Sequence, residues 1–292
     1  MECMLCPRKC GVDRSFGVGY CGESDSIKAA RASLHMWEEP CISGEEGSGT
    51  VFFSGCSLKC VYCQNKSISI GKVGKEITTQ RLAEIFLELQ EKNANNINLV
   101  TGDHFIPQII EAIKAAKGKG IKIPIVFNTS SFINVDSIKA LDRYVDIFLA
   151  DFKYWSFETA EKYSNARNYP EAAKAAIEQM VKQTGKPVYD SRGIMTKGVI
   201  VRHMILPGYT WEAKRIVEYI FKKYGNSIVL SIMNQYTPIN MENFPEINRK
   251  VTEDEYDDVI DYALSIGVEE AFVQEEGTQS ESFIPDFNIE GI

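Results

Sequence analysis

The sequence of 292 residues predicts an α/β fold, an incomplete (β/α)6 barrel with a small Cys-rich N-terminal segment. Three observations lead there. Beyond residue 49, short apolar runs alternate with stretches whose apolar residues recur at helical spacing. The runs are apolar residue after residue, as strands of a parallel sheet covered by helices are. About six strand-helix units can be counted, short of the eight that close a full barrel.

The first 48 residues lack this pattern. They carry Cys3-Met4-Leu5-Cys6-Pro7-Arg8-Lys9-Cys10, then Gly11, Gly17, Gly19 and Cys21-Gly22. Small folds without a core often rely on a metal, and four thiols on a Gly-rich loop could supply its ligands. Cys3, Cys6, Cys10 and Cys21 are candidates for a second iron-sulfur cluster, favoured by thiolate softness, or for a structural zinc. The plain alternative is a reduced loop whose cysteines pack as small apolar groups. Cys41 is left over and reads as structural. The run Ser43 to Thr50 is rich in turn residues, so the chain divides there into a Cys-rich segment, 1–48, and a barrel with a C-terminal extension, 49–292.

Candidate strands follow at Thr50 to Ser54, Ile97 to Thr101, Pro124 to Asn128, Val145 to Phe152, Val199 to Ile205, Ile228 to Met233 and Glu270 to Gln274. Helices are expected over Thr79 to Lys92, Pro107 to Lys117, Val135 to Leu141, Pro170 to Thr184, Thr210 to Tyr224 and Glu253 to Ser265. The tail from Glu275 to Phe287 mixes aromatic and polar residues and is expected to dock across the barrel, where it could serve as a pocket lid.

Directly after the first of these strands comes Phe52-Phe53-Ser54-Gly55-Cys56-Ser57-Leu58-Lys59-Cys60-Val61-Tyr62-Cys63-Gln64-Asn65. Its Cys-x3-Cys-x2-Cys spacing gives three thiolates, and no cysteine follows to complete a set. Thiolates at such spacing hold iron-sulfur clusters, and three ligands on a four-iron cubane leave one iron open, the logic that separates open catalytic metal sites from closed structural ones. A zinc loop would ask for paired Cys-x2-Cys units or Cys/His sets.

All eight cysteines fall at or before Cys63. In a reducing compartment this favours metal ligation over disulfides. No signal peptide opens the sequence and no apolar run is long enough to span a bilayer, so a cytoplasmic protein without membrane contact is expected. The formal net charge of −8 argues against a general nucleic-acid partner.

In barrels of this kind ligands sit at the carboxyl ends of the strands. The residues there are Thr101-Gly102-Asp103-His104, Asn128, Asp151 with Lys153, Arg202-His203 and Asn234-Gln235-Tyr236. Polar groups collected on apolar strands suit a charged, hydrogen-bonding cofactor. His203 also fits a satisfied core histidine and Asp151 with Lys153 a rim ion pair; His104 could be a helix cap, and His35 reads as incidental.

The Cys-x3-Cys-x-aromatic-Cys motif, with Tyr62 as the aromatic, resembles the signature of the radical SAM enzymes. Together with Glu38-Glu39-Pro40-Cys41-Ile42-Ser43-Gly44, the Arg202-His203-x-x-Leu206-Pro207-Gly208 segment and Met233-Asn234-Gln235-Tyr236-Thr237-Pro238, the chain resembles radical SAM proteins named after pyruvate formate-lyase activating enzyme. The resemblance implies a 4Fe-4S cluster on Cys56, Cys60 and Cys63 and S-adenosylmethionine on the open iron. Thr101, Gly102 and Asp103 stand where that family has a Gly-Gly-Glu-like segment meeting the methionine amine. Asn128, Asp151, Lys153 and His203 match positions that contact the ribose, the carboxylate or a bound monovalent cation. It further implies a flavodoxin or ferredoxin as reductant, reductive cleavage to a 5′-deoxyadenosyl radical, and hydrogen abstraction from a substrate. That substrate could be a glycyl radical enzyme, another protein or peptide, or a small molecule. Readings of other classes are a non-catalytic iron-sulfur carrier or sensor and a zinc-bound interaction module.

Overall fold

The computed structural model describes residues 2–269, 271–274 and 285–292. In chain order its main elements are β1 (Ile27–His35), α1 (Pro40–Ser43), β2 (Ser48–Phe53), α2 (Lys66–Ser69), β3 (Lys75–Ile77), α3 (Thr79–Glu91), β4 (Ile97–Val100), α4 (Ile106–Gly118), β5 (Ile125–Thr129), α5 (Val135–Ala140), β6 (Ile147–Asp151), α6 (Phe157–Ser164), α7 (Tyr169–Thr184), β7 (Val188–Tyr189), β8 (Met195–Met204), α8 (Thr210–Tyr224), β9 (Val229–Met233), α9 (Glu253–Ser265) and β10 (Ala271–Val273).

One sheet runs β10-β9-β8-β6-β5-β4-β2-β1-β3, with β7 pairing off β8. From β2 to β10 every neighbour along this path is parallel. Helices connect these strands, and the two ends of the path do not pair with each other among the described residues, which makes the expected partial barrel. β2, β4 and β5 are buried at every residue, the signature of strands covered on both sides. The helices pack by an apolar stripe: α3 buries Leu82, Ile85, Phe86 and Leu89, spaced three and four apart, and starts where the Thr78 hydroxyl accepts from the Arg81 backbone N–H.

The sequence pattern missed β1. Its Ile-Lys-Ala-Ala-Arg-Ala-Ser-Leu-His run has little β-branching, and it becomes a strand by pairing antiparallel with β2 and β3. The sheet therefore crosses residue 48, and the part without strand or helix reduces to residues 2–26. After β1 the chain dives under the barrel. Cys41 and Ile42 of α1 pack against Val126, Ile147, Leu149, Met195 and Ile200, while the Asn95 and Asn96 amides donate to the Ser43 and Ile42 carbonyls at 2.7 and 2.9 Å. The segment forms a floor at the end opposite the cysteine loop.

At the far end of the chain, the Ile289 N–H donates to the Ala30 carbonyl and the Ala32 N–H to the Glu290 carbonyl, so the C-terminal residues lie along β1. The expected lid falls largely on 275–284, outside the described residues. Among the described residues no helix is long and apolar enough to cross a membrane.

Candidate functional site

The cysteine loop begins where β2 ends. Gly55 has φ +80°, and a Cβ there would run into Glu23 and the Cys21 carbonyl, so only glycine lets the two loops approach. The loop is then tied by short bonds: the Val61 N–H to the Tyr163 carbonyl at 2.9 Å and the Cys63 N–H to the Cys60 carbonyl at 3.1 Å. Tyr62 is buried against Tyr154, Tyr163 and Tyr236, ring centroids 5.8 to 6.3 Å apart. Aromatic packing thus fixes the loop between its second and third cysteines.

Cys56, Cys60 and Cys63 line one cavity of about 550 Å³, a size ordinary for a small-molecule site. Burial pushes the Cys56 thiol up to about 12 and raises Cys63, and a charge on Cys60 would raise both further. A bound iron reverses this, because coordinated thiols deprotonate. Among the described residues no three Cys, His, Asp or Glu side chains stand close enough to share a single ion. Three thiols from one loop opening on one cavity are the ligand type and number that would leave one iron of a cubane open.

Beyond the thiols the cavity wall carries a charged network. Arg202 Nε donates to Asp151 Oδ1 at 2.9 Å, its Nη1 to Glu38 Oε2 at 3.2 Å and its Nη2 to Asn128 Oδ1 at 2.9 Å. Lys153 Nζ meets the other Asp151 oxygen at 2.8 Å. Burial alone would raise Asp151, but Arg202 and Lys153 outweigh it and hold its carboxyl below the usual range. Burial likewise opposes the Lys153 charge and Asp151 overrides it, so Lys153 stays a cation. Strand ends and floor therefore join in one interaction: Asp151 comes from β6, Arg202 from β8, Asn128 from β5 and Glu38 from the turn before α1.

Of the residues expected from sequence, Tyr62, Thr101, Asn128, Asp151 and Lys153 line this cavity with the three cysteines. Gly102, Asp103 and His203 do not. Gly102 is wedged where a Cβ would meet Ile109 at 2.6 Å. Asp103 is buried under the cavity rim, accepts from the Thr129 hydroxyl, and is pushed up to about 6 by burial. Alternation along β8 turns Ile200, Arg202 and Met204 inward and His203 to the other side, where its Nδ1 sits 2.7 Å from the Phe152 carbonyl and burial lowers it to about 4. The satisfied core histidine is what stands there. His104 is no cap: its Nε2 lies 2.7 Å from the Ser54 carbonyl.

Glu38 and Gln64 were not expected at the site, Arg202 and Gln235 were read at strand ends but given no contact there, and His35, taken as incidental, lines the cavity too. The period-two alternation on β8 was a usable signal for Arg202. For Glu38 no periodicity existed, since it lies before the barrel in sequence and enters from the floor.

The N-terminal cysteines also converge. A Cβ on Gly19 would lie 3.3 Å from the Cys21 sulfur and 3.5 Å from that of Cys10, and burial, with charges on Cys3 and Cys21 adding to it, raises the Cys6 thiol to about 11. The Cys56 N–H donates to the Cys21 carbonyl at 3.2 Å.

Comparison with known proteins bears on residues 50–220, which match the radical SAM superfamily. An uncharacterised protein of Methanocaldococcus jannaschii is 28% identical over 271 residues, covering 90% of this chain and 74% of that one. The pyruvate formate-lyase-activating enzyme of Clostridium pasteurianum is 28% identical over 109 residues, 36% of this chain and 44% of the enzyme. Among solved structures, Streptococcus suis SuiB bound to its precursor peptide SuiA superposes with a TM-score of 0.51 at 13% identity. It covers 76% of this chain, which spans about half of SuiB (47%).

Proposed function

This chain belongs to the radical SAM superfamily, and from that premise we propose that Cys56, Cys60 and Cys63 hold a 4Fe-4S cluster whose open iron faces S-adenosylmethionine in the 550 Å³ cavity. The observation that carries the reading is a three-thiol loop opening on the same cavity as a buried network of fixed charges. When bound, cluster and cofactor supply reductive cleavage to a 5′-deoxyadenosyl radical that takes hydrogen from a substrate.

The chain's own task is to bind, orient and exclude competitors. Lys153 and Arg202 are cations suited to a carboxylate, while Asp151 and Glu38 suit an amine or ribose hydroxyls. Because each charge is already paired, the network is held in place before any ligand arrives, so little reorganisation is needed on binding. Thr101 and Asn128 add polar contacts at the ends of β4 and β5. Tyr62 and the tyrosines around it keep water from the loop side. Gly102, Asp103 and His203 act one layer back, Asp103 by holding Thr129 and His203 by holding the Phe152 carbonyl.

We favour a protein or peptide substrate, a glycyl radical enzyme included. The partial likeness to an activating enzyme supports it. A flavodoxin or ferredoxin of the reducing cytoplasm would be the electron donor.

The test is anaerobic. Reconstituted, dithionite-reduced protein with S-adenosylmethionine should yield 5′-deoxyadenosine, and the C56A/C60A/C63A variant none. Protein holding a reduced cluster that neither forms the product nor binds the cofactor would instead be an electron carrier or sensor.

A further inference from the structure

We propose that Cys3, Cys6, Cys10 and Cys21 bind a second iron-sulfur cluster, and that it delivers electrons to the barrel cluster through the hydrogen bond between the Cys21 carbonyl and the Cys56 N–H. The delivery role rests on the reading above; the second site does not.

The four thiols lie on a loop that holds to the barrel through polar anchors, Arg14 to the His104 carbonyl and Asn134 to the Met4 carbonyl among them, and not through an apolar core of its own. Residues 2–26 contain a single β-bridge, Glu2 to Asp13, and a few turn bonds such as Cys3 N–H to Val12 carbonyl at 2.9 Å and Gly22 N–H to Gly19 carbonyl at 2.9 Å. Phe16 is 92% accessible and Val18 60%, so the loop buries little of its apolar surface. A segment this poor in core is ordered by what its cysteines share. The donor set is all thiolate, which suits iron-sulfur. Gly19 packs between two of the thiols, a Cβ there lying 3.3 Å from the Cys21 sulfur and 3.5 Å from that of Cys10.

The position fits a relay. Cys21 is buried at the inner side and Cys3, Cys6 and Cys10 are partly exposed at the outer side. The inner side is joined to the barrel loop at Cys56 itself. Arg8 locks this arrangement: its guanidinium donates to the Ser57 carbonyl at 2.9 Å and the Ser164 carbonyl at 2.8 Å, and lies over the Tyr20 ring at 4.0 Å. An electron leaving a flavodoxin- or ferredoxin-class donor would reduce the outer cluster and then the barrel cluster. The donor is oxidised by one electron, the barrel cluster is reduced by one, and no proton or bond changes place.

Full-length protein, C56A/C60A/C63A and C3A/C6A/C10A/C21A are reconstituted with iron and sulfide without oxygen. The expected result is about eight irons per wild-type chain and about four in each variant. The cluster left in C56A/C60A/C63A should give a spectrum on reduction that S-adenosylmethionine does not alter. In C3A/C6A/C10A/C21A, dithionite should still reduce the barrel cluster, while reduction by flavodoxin is lost. A colourless C56A/C60A/C63A protein, or one that takes zinc in place of iron, overturns the second cluster. Equal flavodoxin rates with and without the four cysteines overturn the relay. Should C3A/C6A/C10A/C21A fail to fold, the same rate comparison is made on Cys6→Ser, and the iron count of C56A/C60A/C63A alone decides the site. A wild type that holds all its iron yet never cleaves or binds S-adenosylmethionine sinks the enzymatic reading and leaves this one standing.

Discussion

Cys56, Cys60 and Cys63 hang from the end of a fully buried strand and are braced by a ring of tyrosines, whereas Cys3, Cys6, Cys10 and Cys21 hang from turns with almost no core beneath them. One hydrogen bond separates the two sets. The contrast shows what a scaffold permits. A loop held by the barrel can present three donors and leave a coordination position for chemistry. A loop without a core needs all its donors for its own order, so its metal would be structural even while it conducts.

Three perturbations probe that contrast. The largest effect is expected from Arg202→Ala, which leaves Asp151 with Lys153 alone and Glu38 with only amide donors in a buried wall. Removing one partner of such a pair costs about 3–5 kcal/mol. Denaturant titration of the variant should show that loss in the barrel, while the N-terminal cysteines keep their iron in native conditions; an unchanged midpoint would mean the network is solvated and the barrel side less rigid than argued.

Acid acts next. His104 and His203 are held neutral, lowered from 6.5 to about 3 and about 4 by burial. The unfolded chain takes up these protons first, so the stability they contribute is complete above pH 6.5 and declines as pH falls toward their folded values. At pH 5 the loss is about 2 kcal/mol per histidine. His104 is the joint between the two regions, since Arg14 of the N-terminal loop donates to its carbonyl and its ring meets Ser54 before the barrel cysteines. His203→Gln should flatten the pH dependence of the melting temperature between pH 6.5 and 5; a slope equal to wild type would assign the acid sensitivity elsewhere.

The smallest effect is expected from Arg8→Ala. Its carbonyl contacts are partly exposed, so about 1 kcal/mol of global stability is at stake. Hydrogen exchange should nonetheless quicken across residues 2–26 and hold steady in β4 and β5. Faster exchange throughout the barrel would show that the two regions unfold as one.

The barrel was legible because parallel strands and amphipathic helices each carry a periodic pattern, and the cysteine motif because its spacing is dictated by the cluster. β1 was hidden by an Ala- and Arg-rich sequence that only its neighbours make a strand. α6, short and carrying Lys and Glu between its aromatic positions, was not among the expected helices. At the site, Asp151 and Lys153 could be read from a strand end. Glu38 could not, because it reaches the cavity through the floor and meets Arg202 across 164 positions of sequence. Choosing between Arg202 and His203 required the facing of β8, which the apolar run alone does not reveal.

The pairing of Ile289 and Glu290 with Ala30 and Ala32 bears on biosynthesis. β1 leaves the ribosome early, yet one length of its edge waits for residues made almost a whole chain later. Until then that edge is an open template for misassembly. All eight cysteines precede residue 64, so iron bound as proposed above would be loaded before the sheet closes, and its scarcity would then be felt as a folding defect before a catalytic one.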